Sequence, residues 1–236
     1  MSKKPKSAEI HPGPGFRVQK TITRVAKEVI DQFRQFETPD ISDLMNRLYT
    51  MTSEIHNVAN DLPIIGPAVT VKVFPGDNLM VHKALDVIQP GDVIVVDTGG
   101  VRTNAVLGDL VSNKAKHRGA AGFIIDGLIR DIPGVKEVGI PVYARGVSPI
   151  GPLHRGPGEL NYPISCGGIV VNPGDLVYGD DCGVVVVRQE FAEEILARCY
   201  EQQKALSDYV ANVKKGKFSN DWVDQVLEEA SCRFSV

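Results

Sequence analysis

The sequence predicts a single α/β domain with helical additions at both ends. Short β-branched runs alternate with helically spaced apolar segments, a Pro-Gly-Asp tripeptide recurs between them, and no linker divides the chain. The 236 residues, 43% hydrophobic and 23% charged, suffice to bury a core without disulfides or a structural metal.

Residues 1–19 are polar and carry Pro5, Pro12 and Pro14, which predicts a mobile or peripheral arm. From Thr23 to Phe36, the apolar residues Val25, Val29, Ile30 and Phe33 fall near helical spacing. Thr38-Pro39-Asp40 then marks a helix start, with Ile41, Leu44, Met45 and Leu48 on one face. Ala68 to Phe74 is a short β-branched strand that stops at Pro75-Gly76-Asp77-Asn78, and Leu79 to Val87 is a helix. Asp92 to Asp97 is a strand entered through Pro90-Gly91-Asp92. Gly108 to Arg118 is a helix leading into the strand Gly122 to Asp126. That strand is wholly apolar at 123–125, so it is expected to be buried on both faces, with Asp126-Gly127 marking its end.

Pro141 to Ala144 is a further strand, and the Gly- and Pro-rich stretch from Gly146 to Pro163 predicts an irregular loop. Pro173-Gly174-Asp175 enters Leu176-Val177-Tyr178, Asp180-Asp181 forms a turn, and Val184 to Val187 follows. Glu190 to about Val213 reads as a long amphipathic helix. In each Pro-Gly-Asp, Pro presets the first central turn position and Gly tolerates positive φ at the next, so the tripeptide predicts turn chemistry rather than catalysis. The resulting division is an arm over 1–19, a domain over 20–213 and an extension over 214–236.

Composition removes several function classes. A net charge of −3, from 26 basic and 29 acidic residues, provides no field to hold nucleic acid. The cysteines Cys166, Cys182, Cys199 and Cys232 show no C-x-x-C spacing and read as reduced thiols. No apolar run approaches the roughly 18–20 residues of a membrane span, and no apolar segment follows the basic N-terminus as in a signal peptide. A cytoplasmic protein is expected.

Gly108-Asp109-Leu110-Val111 and Asp126-Gly127-Leu128-Ile129-Arg130-Asp131 carry the chemistry. Ligands of α/β sheets collect beyond the carboxyl ends of strands, where Arg130 and Asp131 fall. Arg offers a planar fork to a carboxylate, and Asp offers hard oxygen to a divalent cation. A helix starting after Gly108 would present free amides to an anion. Two readings stand on spacing alone. One is a 2-oxo acid site, with the substrate carboxylate between these amides and Arg130 and its keto oxygen on a metal at Asp131. The other is an ordinary helix start with Asp109 near the dipole and a surface Arg-Asp pair.

These residues resemble the RraA-like family, which contains class II 4-hydroxy-4-methyl-2-oxoglutarate/4-carboxy-4-hydroxy-2-oxoadipate aldolases and regulators of ribonuclease E activity. Its hallmark is an Asp, twenty intervening residues and Arg-Asp, met here by Asp109, Arg130 and Asp131. Gly66 to Val71, Asp77-Asn78-Leu79, Val81-His82-Lys83-Ala84, Pro90 to Val93, Asp126-Gly127, Pro141-Val142 and Pro173 to Leu176 agree, and the similarity covers about residues 25–210.

The resemblance implies a layered β/β/α swivelling-type domain that assembles as a homotrimer or a dimer of trimers. It implies a carbon-carbon lyase dependent on Mg²⁺ or Mn²⁺, releasing pyruvate from a small 2-oxo acid, with oxaloacetate decarboxylase side activity. In that scheme Asp131 ligates the metal and Arg130 binds the pyruvyl part and steadies the enolate. Asp109 holds a metal-bound water, and the Leu110 and Val111 amides receive the substrate carboxylate. His82 lines the pocket, and a Glu from a neighbouring subunit's C-terminal helix, with Glu201 as candidate, completes it. The alternative within the resemblance is a non-catalytic inhibitor of ribonuclease E.

The remaining residues have plainer readings. His11 and His56 read as solvated, and His117 sits with Lys114, Lys116 and Arg118 at a basic helix end. His154 and Arg155 are candidates to touch a distal substrate carboxylate, and Asp97-Thr98-Gly99-Gly100 is a candidate pocket wall. Phe218 and Trp222 read as docking anchors.

Overall fold

The computed structural model describes residue 7 and residues 9–233. By internal contact the chain forms two compact units, Met1–Leu196 and Ala197–Val236. The order of elements is β1 (Phe16–Val18), α1 (Lys27–Phe33), α2 (Thr38–Leu44), β2 (His56–Asn57), β3 (Ile64–Val73), α3 (Leu79–Ala84), β4 (Val93–Asp97) and β5 (Ala105–Leu107). Then come α4 (Asp109–His117), β6 (Gly122–Ile129), α5 (Ile132–Val138), β7 (Val142–Val147), β8 (Gly158–Leu160), β9 (Ile164–Cys166) and β10 (Ile169–Val171). The chain continues with β11 (Leu176–Asp180), β12 (Gly183–Val187), a 3₁₀ turn (Gln189–Phe191), α6 (Ala192–Lys214) and α7 (Asp221–Glu229).

The central strands are near-continuous apolar runs because both of their faces are covered. Every residue of β4 and β6 is buried, as is all of β3 except Lys72. The pairs β3–β4, β4–β6 and β6–β7 are parallel. The sheet order is β1-β8-β3-β4-β6-β7-β2, with β5 joined to β6 and β11 pairing both β3 and β12. Side chains alternate between two cores, as the strand period requires. Ile94, Val96, Phe123 and Ile125 pack with Met80, Val81, Val111 and Val135 from α3, α4 and α5. Val93, Val95 and Ile124 pack instead with Ile164, Val171, Val177 and Val186 from the second β layer. The sheet thus lies between helices and strands, which is the β/β/α layering expected. Phe123 is fully buried at its centre, and truncating such a ring to Ala costs about 3–5 kcal/mol.

All three Pro-Gly-Asp tripeptides are turns. Gly76, Gly91 and Gly174 have φ of 77°, 93° and 88°. Each Asp is buried, at 3%, 1% and 1% exposure for Asp77, Asp92 and Asp175. Asp77 accepts from the Leu79 and Arg155 amides, Asp92 from Gln89, and Asp175 from Asn172 and Gln189. Arg24 and Arg188 neutralise Asp92 and Asp175 at 2.7 and 2.6 Å. These carboxylates replace missing backbone partners inside the fold, where an unpaired amide would cost about 1–3 kcal/mol. The turn at Asp180 joins β11 to β12, and Asp180 also accepts from the Thr38 amide and hydroxyl, tying α2 to that hairpin.

Three expectations are corrected. The arm over 1–19 includes a strand: Phe16–Val18 pairs in parallel with Gly158–Leu160. The loop expected from Gly146 to Pro163 contains β8, which also pairs with β3, so its Gly-rich backbone closes a ladder between distant segments. Asp126-Gly127 does not end its strand, which runs on to Ile129. Gly127 is there because a Cβ would lie 2.6 Å from the Thr98 side chain, so this glycine permits close approach rather than a turn. Residues 1–6 and 8 of the arm lie outside the described residues.

In the second unit, α7 buries no residue, and Phe218 and Trp222 are exposed. Among the described residues no helix is long and apolar enough to cross a membrane. Cys166 and Cys199 are buried and Cys182 and Cys232 exposed, all four outside any disulfide.

Candidate functional site

Sheet topology brings the two motifs together. β5 pairs in parallel with the end of β6, Ala105 opposite Leu128 and Leu107 opposite Ile129. The Arg130 amide donates to the Leu107 carbonyl at 3.0 Å, extending that pairing by one step. The residues after each strand, Gly108-Asp109 and Arg130-Asp131, therefore emerge side by side at the carboxyl end of the sheet. Between them runs α4, which returns the chain to the start of β6.

Asp131 faces away from the helix it precedes. It is the N-cap of α5, yet its φ and ψ are 58° and 40°, and its side chain makes no capping bond. An N-cap Asp ordinarily takes an extended backbone and accepts from the first turn's amides. The left-handed conformation, which Asp tolerates better than most residues, turns the carboxylate out of that role. Its Oδ2 lies 3.3 Å from Arg130 Nε, and both side chains are about two-fifths exposed. Asp109 opens α4, where the helix dipole favours its charge.

Three glycines clear the space for these groups. A Cβ on Gly108 would lie 2.2 Å from Asp131 Oδ2, and one on Gly151 would lie 2.5 Å from Arg130 Nη1. A Cβ on Gly134 would lie 2.7 Å from the Asp109 Cβ. Gly151 is held there by the loop beyond β7. Ala105 donates to the Ile150 carbonyl at 2.8 Å, Asn104 Nδ2 to the Gly151 carbonyl at 2.9 Å, and Leu153 to the Gly76 carbonyl at 2.8 Å.

A pocket of about 180 Å³ results, and Gly108 to Val111, Arg130 and Asp131 are among the residues that line it. His82, Lys114, Asn78 and His154 line it too, with Leu107 and Pro152. His82 and His154 meet edge to face, centroids 5.5 Å apart. Burial, then the charge of Lys114 and the neighbouring His154, push the His82 imidazole below its ordinary pKa. The wall is therefore cationic at Arg130 and Lys114 and anionic at Asp109 and Asp131.

The structure brings Gly108, Asp109, Leu110, Val111, Arg130, Asp131, His82 and His154 to one pocket. It differs from expectation at Leu110, whose amide donates to Asp109 Oδ1 at 2.7 Å. A substrate carboxylate on that amide would have to displace the Asp109 side chain. Asp97 to Gly100 does not line the pocket: Asp97 Oδ1 accepts from the Gly99 amide and Thr98 Oγ1 donates to the Asp126 carbonyl. Glu201 lies on α6 in the second unit and is exposed. Sequence reasoning missed Asn78, Lys114, Gly134 and Gly151 as site residues. Lys114 had a signal, since it follows Leu110 by four residues and so shares its helix face.

The donor set fits a divalent cation of the Mg²⁺ kind. Such a cation takes one or two carboxylates and keeps several waters. Asp131 offers an uncapped carboxylate above the Gly108 cradle, with Asp109 on the same pocket wall. Among the described residues no cluster of three or more His, Cys, Asp or Glu gathers, so an all-protein cage is not what the site would supply.

A layered α/β domain with an Asp and an Arg-Asp pair at the carboxyl ends of adjacent parallel strands defines the class. The family model described as RraA-like, Aldolase/RraA, matches residues 38–186, and the chain belongs to this family. A Halalkalibacterium halodurans protein provisionally named a 4-hydroxy-4-methyl-2-oxoglutarate aldolase is 41% identical over 194 residues, 79% of this chain and 92% of its own. A Hahella chejuensis protein with the same provisional name is 37% identical over 57% of this chain and 82% of its own. Among solved structures, Streptomyces coelicolor RraAS2, described as an unusual member of the RNase ES inhibitor RraA protein family, aligns with TM-score 0.72. It is 28% identical and covers 80% of this chain and 98% of its own.

Proposed function

We propose that the protein is a divalent-metal-dependent pyruvate aldolase acting on 4-hydroxy-2-oxo acids of the 4-hydroxy-4-methyl-2-oxoglutarate or 4-carboxy-4-hydroxy-2-oxoadipate kind. The observation that carries the reading is the convergence of Asp109, Arg130 and Asp131 on one small pocket, with a glycine making room for each. The names of the relatives support the same reaction class.

The chain's own groups divide the work. Arg130 faces the pyruvyl part with a planar fork, and its fixed charge meets the negative charge that develops as the C3–C4 bond breaks. Preorganised donors of this kind are worth about 2.7–4 kcal/mol each. Asp131 would hold the cation, with Asp109 orienting one of its waters, and the Val111 amide at the first turn of α4 faces the substrate carboxylate. The chemistry a bound Mg²⁺ or Mn²⁺ supplies here is Lewis-acid polarisation of the 2-keto oxygen. Oxaloacetate decarboxylation leaves the same enolate and is the expected side activity. The hydroxyl proton of the aldol substrate also needs a base. A homotrimer or dimer of trimers goes with this reading, and light scattering measures it.

The test is pyruvate release by the full chain with Mg²⁺, against a panel of 4-hydroxy-2-oxo acids and oxaloacetate. Pyruvate from at least one hydroxy acid is expected, and none from any of them overturns the reading. The likeness to RraAS2 favours a second reading, a binding protein that inhibits a ribonuclease. Inhibition of ribonuclease E that survives the Asp131→Asn change, in a protein releasing no pyruvate, would establish it instead.

A further inference from the structure

We propose that His154, held in one tautomer by the buried Asn78, is the base that takes the substrate's C4 hydroxyl proton, so that the base comes from the protomer itself. The inference rests on the aldolase reading above and deepens it.

The argument begins at Asn78, only 2% exposed. Its main-chain amide donates to the Leu153 carbonyl at 3.0 Å, and its Nδ2 donates to the Val106 carbonyl at 2.8 Å. A carbonyl can only accept, so the amide cannot be flipped: reversing it would set Oδ1 against the Val106 oxygen. Asn78 Oδ1 is thereby fixed as an acceptor, and it faces His154 Nδ1 at 2.6 Å. In a neutral imidazole one nitrogen donates and the other accepts. Nδ1 must carry the proton, which leaves the lone pair on Nε2. A base fixed by a hydrogen bond to its other nitrogen is the arrangement general-base catalysis requires.

The surroundings hold that ring in place. Leu153, just before it, donates to the Gly76 carbonyl at 2.8 Å. Arg155, just after it, donates to Asp77 Oδ2 at 2.5 Å. Asp77 is 3% exposed, so both anchors sit on the buried Pro-Gly-Asp turn that also carries Asn78. His82 packs edge-on against the ring. His154 lines the same pocket of about 180 Å³ as Arg130 and Asp131. With the pyruvyl head at Arg130, the proposal sets the C4 hydroxyl at His154 Nε2.

The step balances within the protomer. Nε2 takes the proton of the C4 hydroxyl, the electron pair of the broken O–H bond becomes the C4=O π bond, and the C3–C4 pair passes to the pyruvate enolate. The imidazolium then returns the proton to C3, giving pyruvate and regenerating the base.

The experiment uses the full chain with Mg²⁺ and compares wild type, His154→Gln and Glu201→Gln in two assays on the same preparations. One is cleavage of 4-hydroxy-4-methyl-2-oxoglutarate. The other is decarboxylation of oxaloacetate, which has no hydroxyl proton to remove. His154→Gln is expected to lower cleavage about 10²–10⁴-fold, the range for a general base. Its cleavage-to-decarboxylation ratio should fall at least about 30-fold, while Glu201→Gln leaves that ratio unchanged. Cleavage within threefold of wild type in His154→Gln, or equal losses in both reactions, overturns the base assignment alone. Wild type that decarboxylates without cleaving overturns the base and the aldol substrate together, and wild type inactive in both overturns the enolate reading itself. Nitrogen-15 imidazole shifts of the wild-type protein give a readout independent of turnover: His154 protonated on Nδ1 is expected, and protonation on Nε2 refutes the proposal.

Discussion

Gly108→Ala should leave a folded protein with a broken site. The added Cβ would lie 2.2 Å from Asp131 Oδ2, 3.1 Å from its Cγ and 3.2 Å from Arg130 Cγ, whereas ordinary contact begins at 3.4 Å. The carboxylate must therefore withdraw by about 1.2 Å or swing to another rotamer, moving the Arg130 side chain with it. The backbone does not object: Gly108 has φ −144° and ψ −160°, which any residue adopts. Losing glycine at the N-cap of α4 costs about 1 kcal/mol or less, and an off-rotamer Asp131 adds about 0.5–1.5 kcal/mol. A domain stable by about 5–15 kcal/mol survives that. A misplacement of about 1 Å in a catalytic constellation costs about 100-fold in rate, or about 2.7 kcal/mol. The assay is kcat/KM for oxaloacetate decarboxylation beside a thermal melt. A variant within threefold of wild type would refute the reasoning, because Asp131 would then not depend on the cradle that Gly108 provides.

Other perturbations separate the same groups. Arg130→Lys keeps the charge but loses the fork, so decarboxylation should fall by roughly 2–4 kcal/mol of transition-state stabilisation; a loss under about 1 kcal/mol would make Arg130 merely a surface partner of Asp131. Treatment with EDTA should abolish pyruvate release and leave the far-ultraviolet circular dichroism unchanged, and full activity in the chelated sample would exclude the metal. His82 should shape acid stability. Its pKa is depressed below 6.5 in the fold by burial, Lys114 and His154, so below that pH the unfolded chain binds a proton that the folded one resists. Its contribution is full above pH 6.5 and lost as pH falls towards the folded value, so His82→Gln should flatten the fall of the melting temperature as pH drops below 6.5. An unchanged slope would contradict the depressed value.

The sheet core was legible because its signal is local and redundant. Val93 to Asp97 and Phe123 to Ile125 announce themselves by unbroken apolar runs, and the three Pro-Gly-Asp turns by residue type alone. Gly158–Leu160 and Phe16–Val18 were not legible. A three-residue strand among glycines and prolines exists only through partners far away in sequence, and no local pattern encodes them. The helix limits were too generous: α1 starts at Lys27 rather than Thr23, and α3 stops at Ala84 rather than Val87. Apolar spacing extends beyond the regular helix at these ends, as at Val87 and Ile88, whose amides still turn back to the Ala84 carbonyl.

At the site, the charged residues were visible as a spaced motif and the supporting residues were not. Asn78 acts through a bond to His154, which lies 76 residues on. Gly134 and Gly151 matter only for what stands over them, and that depends on the folded loop.

Three residues with no side chain accompany the three ionisable ones, and this changes what a mutational scan of the pocket should look like. Gly108, Gly134 and Gly151 should be as intolerant as Asp131, Asp109 and Arg130, while Leu110, 72% exposed on the same wall, should accept most replacements. The footprint of these three ionisable groups in such a scan would be six positions rather than three. Libraries built to redirect the pocket towards other acids should hold all six constant, together with His154 and Asn78, and vary the exposed Leu110 instead. A chain that keeps the Asp and Arg-Asp spacing but fills one of the glycine positions would carry the motif without the room for it to work.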